Sequence, residues 1–203
     1  MYVPAHFAAR PDQLHDLLGT GGLVDLVSLG ADGLICTPLP MLYVPATDGP
    51  GVLQGHLARN NPHWSSLVAG SESLAIGHGV QDYVSPAWYA SKAEHGRVVP
   101  TWNYVTVHVY GRLVVHDDVD WLRQLVTRLT EHHEQRTGTG WQVSDAPPAF
   151  IDGQLKAIVG IELVISRVEA KAKLSQNRSA ADRAGVVAGL GPGSPVSRAM
   201  TDS

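Results

Sequence analysis

The sequence predicts a mainly β chain with short helices, α+β in class and built as a barrel or a sandwich. Three observations lead there. Short apolar or alternating stretches recur along the chain, bounded by Gly, Pro, Asn and Asp. A single long helix is indicated, over residues 117–134. Strands and helices do not alternate in the βαβ rhythm that a doubly wound parallel sheet requires.

The elements follow in order. Pro11, then Leu14, Leu17, Leu18 and Gly19, suggest a short amphipathic helix. Residues 23–29 read as a strand, residues 30–33 (Gly-Ala-Asp-Gly) as a turn, and 34–37 as the returning strand of a hairpin. Residues 39–44 are extended, and Pro38 and Pro40 lack backbone donors, so this strand belongs at a sheet edge or at a bulge. Residues 51–57 form the next strand. Asn61 as cap and Pro62 at the first position then predict a short helix with Trp64, Leu67 and Val68 on its apolar face. Residues 73–80 are a strand. Residues 102–115 are the clearest one, with Val105, Val107 and Val109 alternating with Thr106, His108 and Tyr110. In 117–134, Asp117, Asp118 or Asp120 supplies the cap, and Leu122, Leu125, Val126 and Leu129 share one face. Residues 138–148 read as loop, 158–168 as a final strand, and a short helix is expected near Ala180. Residues 1–190 are therefore expected to be one domain with a C-terminal helical segment. Residues 191–203, rich in Gly, Pro and Ser, are expected to be a flexible tail.

Composition narrows the function classes. The net charge is −4, where a protein that grips duplex DNA usually shows a basic surplus. DNA is thus a possible partner that neither charge nor motif supports. The lone Cys36 can form no internal disulfide and no Cys-rich zinc site. The N-terminal stretch has no basic segment followed by an apolar run, and no stretch approaches a membrane span. A cytoplasmic protein without a membrane partner is expected. His-Glu-x-x-His, Gly-x-Ser-x-Gly, Gly-x-Gly-x-x-Gly and P-loop patterns do not occur, so no metal site and no Rossmann site is indicated. His132 and His133 suit the negative end of the long helix.

Four clusters gather polar and aromatic residues near strand ends: 35–40, 55–62, 83–92 with 100–104, and 173–178. His56, Arg59 and Lys92 can neutralise a phosphate, Arg with a two-pronged grip. Asn61 at a helix start can offer backbone N–H groups to the same anion. Trp88, Tyr89 and Trp102 can stack on a planar ring. Gln176 and Asn177 can read ring carbonyls and nitrogens. Together they describe a site for a phosphorylated, flat, heteroaromatic ligand. Singly, each type also has an ordinary role in packing, solvation or turns.

At these clusters the chain resembles the PaiB family of FMN-binding negative transcriptional regulators. The resemblance runs from MYVPAHF at the start, through GHLARNNP (55–62), YVSPAWY (83–89) and PTWNY (100–104), to KLSQNR (173–178). It implies a split β-barrel of the pyridoxamine-phosphate-oxidase kind, a homodimer, and FMN held between subunits. By that resemblance Thr37, Pro38 and Leu39 would face the flavin ring. His56, Leu57, Ala58, Arg59 and Asn61 would lie by the ribityl chain or phosphate. Trp88, Lys92, Thr101, Trp102 and Asn103 would line the pocket, and Lys173, Gln176 and Asn177 would close it. The chain departs from the family at Thr37-Pro38-Leu39-Pro40, where a Thr-His-Leu-Pro run is usual. Proline there removes a ring and a backbone donor.

The function that this implies is a flavin-binding regulator or sensor of transcription. No helix-turn-helix is legible, because the long helix is followed by a loop. The alternative is a flavin- or haem-dependent oxidoreductase of unknown substrate, with His56 and His108 as titrating candidates.

Overall fold

The computed structural model describes residues 1–10, 17–19 and 21–202. The helix expected from Pro11 lies largely outside the described residues. Seven strands follow: β1 (Leu23–Gly30), β2 (Gly33–Pro40), β3 (Leu42–Val44), β4 (Val52–Ala58), β5 (Ser73–Val84), β6 (Thr101–His116) and β7 (Ile158–Lys173). They make one sheet in the order β2-β1-β5-β6-β7-β4-β3. The β1–β2, β1–β5, β3–β4 and β4–β7 pairings are all antiparallel. Helices α1 (Ser91–His95), α2 (Val119–Thr137), α3 (Pro148–Lys156), α4 (Ala180–Leu190) and α5 (Pro195–Thr201) complete the chain. Among the described residues, no helix is long and apolar enough to cross a membrane.

The chain divides into two compact units. One, here the terminal unit, comprises Met1–Leu17, His78–Val107 and Glu169–Ser203; the other, the central unit, comprises Leu18–Gly77 and His108–Val168.

In the central unit the β1–β2 hairpin pairs Gly30 with Gly33 across the turn and Leu23 with Pro40 at its open end. β2 stands at one end of the sheet order, which is where its two prolines, lacking donors, are tolerated. On β7, Val159, Ile161, Leu163 and Ile165 are buried at the two-residue period of a strand with one core face. Gly55 lets β4 approach β2: a Cβ there would stand 2.7 Å from the Pro40 carbonyl oxygen and 3.2 Å from Leu39 Cδ1. Asp118 caps α2 by accepting from the Trp121 N–H at 2.7 Å, and Leu122, Leu125 and Leu129 lie buried on its inner side.

The terminal unit packs around Val84, Tyr89, Ala172, Leu174, Val186, Val196 and Met200. Ser179 caps α4, accepting from the Asp182 N–H at 3.1 Å. Asp182 in turn accepts from Ser91 N and Ser91 Oγ, both at 2.9 Å, and so anchors the start of α1.

Several elements differ from the sequence expectation. Residues 61–68 form turns, not a helix. Asn61 does cap the first turn, accepting from His63 N at 2.9 Å, but the chain then bonds to the hairpin through Ala31 N to Ser66 O and Val68 N to Leu29 O. Those tertiary bonds take the groups a helix would use. Helix α3, for which no element was expected, begins at Pro148, the last residue of the expected loop, and buries Ile151 and Leu155 one turn apart. β5 and β7 run on to Val84 and Lys173. Residues 191–203, expected to be a flexible tail, contain α5, whose Val196 and Met200 are buried.

Candidate functional site

The candidate residues fall into two groups, one in each unit.

In the central unit, β4 carries His56, Leu57 and Ala58 opposite Gly160, Val159 and Ile158 of β7. Leu57 is a core residue, Ala58 is exposed, and His56 is half-buried with Nδ1 lacking a hydrogen-bond partner among the described residues. Burial lowers the His56 pKa, so the ring stands neutral near pH 7. Arg59 begins the turn after β4, where its guanidinium is already engaged. Nη1 and Nη2 donate to the two Asp117 carboxylate oxygens at 3.0 and 2.5 Å, Nε to Lys156 O at 2.7 Å, and Nη2 also to Ile158 O at 3.0 Å. This two-pronged grip holds the Asp117 carboxyl below the usual carboxylate range. A phosphate at Arg59 would therefore compete with Asp117. The Trp64 indole N–H donates to the Arg59 carbonyl at 2.8 Å and braces the same turn.

On β2, Leu39 is buried and Pro38 exposed. Thr37 is half-buried, and its hydroxyl lies 2.8 Å from His63 Nδ1. The fully buried His63 has its Nε2 2.9 Å from Ser28 Oγ, which is 2.8 Å from Ser73 Oγ. Burial lowers the His63 pKa as well. The sequence reading did not single out His63, Ser28 or Ser73; the only signal was a histidine directly after the Asn61-Pro62 cap.

In the terminal unit, the start of β6 and the end of β7 bring Thr101, Trp102 and Lys173 together. The Lys173 ammonium donates to Thr101 Oγ1 and to the Trp102 carbonyl. Desolvation, then repulsion from Lys171 and Arg178, lowers its pKa. The Tyr104 ring lies 5.5 Å from Lys171 Nζ and 6.0 Å from Lys173 Nζ. Trp102 is exposed and meets Tyr83 edge to face at 6.1 Å. Three cations, one half-desolvated and disfavoured by like charge, beside aromatic faces suit a planar ligand with a phosphate.

The other candidates of this unit sit differently. Asn103 is completely buried; its Nδ2 donates to Ser175 Oγ at 3.0 Å and lies 3.3 Å from Met200 Sδ. Gln176 folds back on its own strand, Oε1 accepting from Leu174 N at 2.7 Å and Nε2 donating to Ala172 O at 2.6 Å. Asn177 and Lys92 are exposed. Trp88 packs on α4 against Gly185 and Gly189, where a Cβ would come within 2.0 Å of the Trp88 carbonyl oxygen and 2.4 Å of its indole ring. Tyr89 is buried under the Arg178 guanidinium, 4.6 Å from the ring centre.

The seven-stranded sheet with short helices is a fold shared with solved structures. The structure of the FAD and heme binding protein from Mycobacterium smegmatis superposes with a TM-score of 0.60 at 17% identity, covering 90% of this chain and 78% of that one. In sequence, the chain is 28% identical over 188 residues to the protease synthase and sporulation protein PAI 2 of Bacillus subtilis, covering 92% of this chain and 87% of that protein. It is 33% identical over 166 residues to an uncharacterized protein of Emericella nidulans. That match covers 69% of this chain and 66% of the fungal protein's length. Residues 1–167 match the family described as "Putative FMN-binding domain", and the chain belongs to that family.

Proposed function

We propose that the protein binds FMN as a cytoplasmic homodimer and acts as a flavin-dependent sensor or regulator of transcription. The family match over residues 1–167 carries this reading. Each unit holds a separate group of candidate contacts for a flavin, and each group is taken by itself. In the terminal unit, Lys173 with Lys171 and Arg178 would take the phosphate, and Trp102, with Thr101 beside it, would flank the ring. Lys92, Trp88 and Asn177 would stand at the margin, with Asn103 holding the Ser175 side chain and Gln176 the backbone beside it. In the central unit, Thr37, Pro38 and Leu39 would meet the polar edge of the ring. His56, Leu57, Ala58, Arg59 and Asn61 would lie along the ribityl side. When bound, FMN supplies hydride and single-electron chemistry, while the protein supplies orientation and electrostatics.

A second reading, a flavin-dependent oxidoreductase, is favoured by His56. It is half-buried and neutral, and its Nδ1 has no hydrogen-bond partner among the described residues, so it can exchange a hydrogen bond or a proton with a ligand.

The test is the absorption spectrum of purified protein after incubation with FMN and gel filtration. Two flavin bands, one visible and one near-ultraviolet, should co-elute with a dimer. A colourless protein that retains no FMN overturns the cofactor, and a Soret band replaces it with haem. Retention of a promoter-length duplex by the FMN-loaded protein but not by the apo-protein, or the reverse, supports regulation. No retention of DNA in either state counts against direct regulation.

A further inference from the structure

The central unit contains a chain of four hydrogen-bonding groups: Thr37, His63, Ser28 and Ser73. The distances are 2.8 Å from Thr37 Oγ1 to His63 Nδ1, 2.9 Å from Nε2 to Ser28 Oγ, and 2.8 Å from there to Ser73 Oγ. His63, Ser28 and Ser73 are buried to 0%, 2% and 2% exposure; Thr37, on β2, is half-buried. Every member is both a donor and an acceptor. The chain can therefore run in two senses, each neutral and each satisfying the ring. In one, Thr37 donates to Nδ1 and Nε2–H donates to Ser28, so Thr37 offers only lone pairs outward. In the other, Ser28 donates to Nε2 and Nδ1–H donates to Thr37, whose own hydrogen then points away. The tautomer of a buried imidazole thus decides whether the hydroxyl on β2 accepts or donates.

A group that faces such a hydroxyl benefits if its own character reverses. The reactive nitrogen of a flavin does so, accepting a hydrogen bond when oxidised and carrying N–H when reduced. We propose that His63 is a positioning residue that sets the hydrogen-bond sense of Thr37 toward the polar edge of bound flavin, its tautomer following the flavin's oxidation state. The proposal rests on the reading above that Thr37 meets that edge. His63 touches no ligand in this scheme and acts only through Thr37. Because burial keeps the ring neutral, the two senses differ in direction and not in charge.

The experiment is nitrogen-15 NMR of the histidine imidazoles in the full chain, titrated with oxidised and then with dithionite-reduced FMN. Flavin fluorescence is used in parallel to measure binding. The His63 nitrogens should report a neutral ring whose tautomer balance differs between the two forms of FMN, and this difference should vanish in Thr37→Val. That variant should bind oxidised FMN about tenfold more weakly, the size of one hydrogen bond. Ser28→Ala removes the partner of Nε2 at a distance from the ligand. It should shift FMN affinity in the wild-type background and leave it unchanged in Thr37→Val. A purely structural loss would appear in both backgrounds and would overturn the inference. FMN bound with identical His63 signals in both oxidation states would overturn it too, while leaving flavin binding intact. No FMN binding in either form would overturn the underlying reading, and the inference with it.

Discussion

Lys173 carries its charge where charge is disfavoured. Its ammonium is partly desolvated and faces Lys171 and Arg178, which lowers its pKa. A phosphate would relieve both penalties at once. Lys173→Ala is therefore expected to weaken FMN binding by roughly ten- to a hundredfold, the range of a hydrogen bond to a charged group. Riboflavin, which lacks the phosphate, should bind the two forms alike; fluorescence titration with both flavins checks this. Arg59 is the contrasting case. Its guanidinium holds Asp117 and two carbonyl oxygens, so Arg59→Ala should lower Tm with or without FMN. Lowered FMN affinity at unchanged Tm would return Arg59 to the phosphate. The same pair has a pH signature. Asp117 titrates below its unfolded value, so its contribution is present above the usual carboxylate range and is lost as pH falls through the depressed pKa. His63 acts in the same direction at higher pH. Burial holds its folded pKa below the ordinary histidine value of 6.5, so the unfolded chain takes up the proton first and stability declines as pH falls below about 6.5. Urea midpoints between pH 8 and 5 (roughly the His range) should fall for the wild type and stay flatter for His63→Gln.

At the scale of elements, α4 is built to receive Trp88. Gly185 and Gly189 are spaced one turn apart, and nothing larger fits between the helix backbone and the residue it covers. Gly185→Ala should destabilise by about 1–3 kcal/mol, the usual cost of forcing extra volume into a packed site. A denaturant melt followed by tryptophan fluorescence checks it. Trp88 stood in the sequence as a candidate for stacking on a ring. The two small residues that make it a packing residue lie about a hundred positions away, and only the fold brings them to it. Asn103 and Gln176 are similar: polar side chains that suit a ligand on paper, but that satisfy Ser175 and the β7 backbone in the structure. The strands were legible because their period is local. The helix expected at 61–68 was not formed; its Ser66 C=O and Val68 N–H bond to the β1–β2 hairpin, a non-local competitor that cap and propensity cannot register.

For the whole chain, the last described helix decides how far the fold extends. Val196 and Met200 of α5 lie in the same core as Val84 and Leu174. Burial of each is worth about 1.5–3 kcal/mol, so truncation before Pro195 should lower the urea midpoint and loosen the terminal unit. Hydrogen exchange at Leu174 and Val186 reads the loosening directly. A truncated chain with unchanged protection would restore the flexible-tail expectation. Composition argued for that tail, since Gly, Pro and Ser disfavour order on average. Two apolar residues one turn apart were enough to dock it. By itself, the sequence determined the strand-rich class, an edge or a bulge for the proline-bearing stretch, the long capped helix, and the family, because these depend on local period, donor count and motif order. The tertiary structure alone decided which candidates keep free donors and which spend them internally. Hydrogen-bond partners such as Asp117 for Arg59, or Ser28 for His63, come from distant parts of the chain, and their geometry exists only once the sheet has formed.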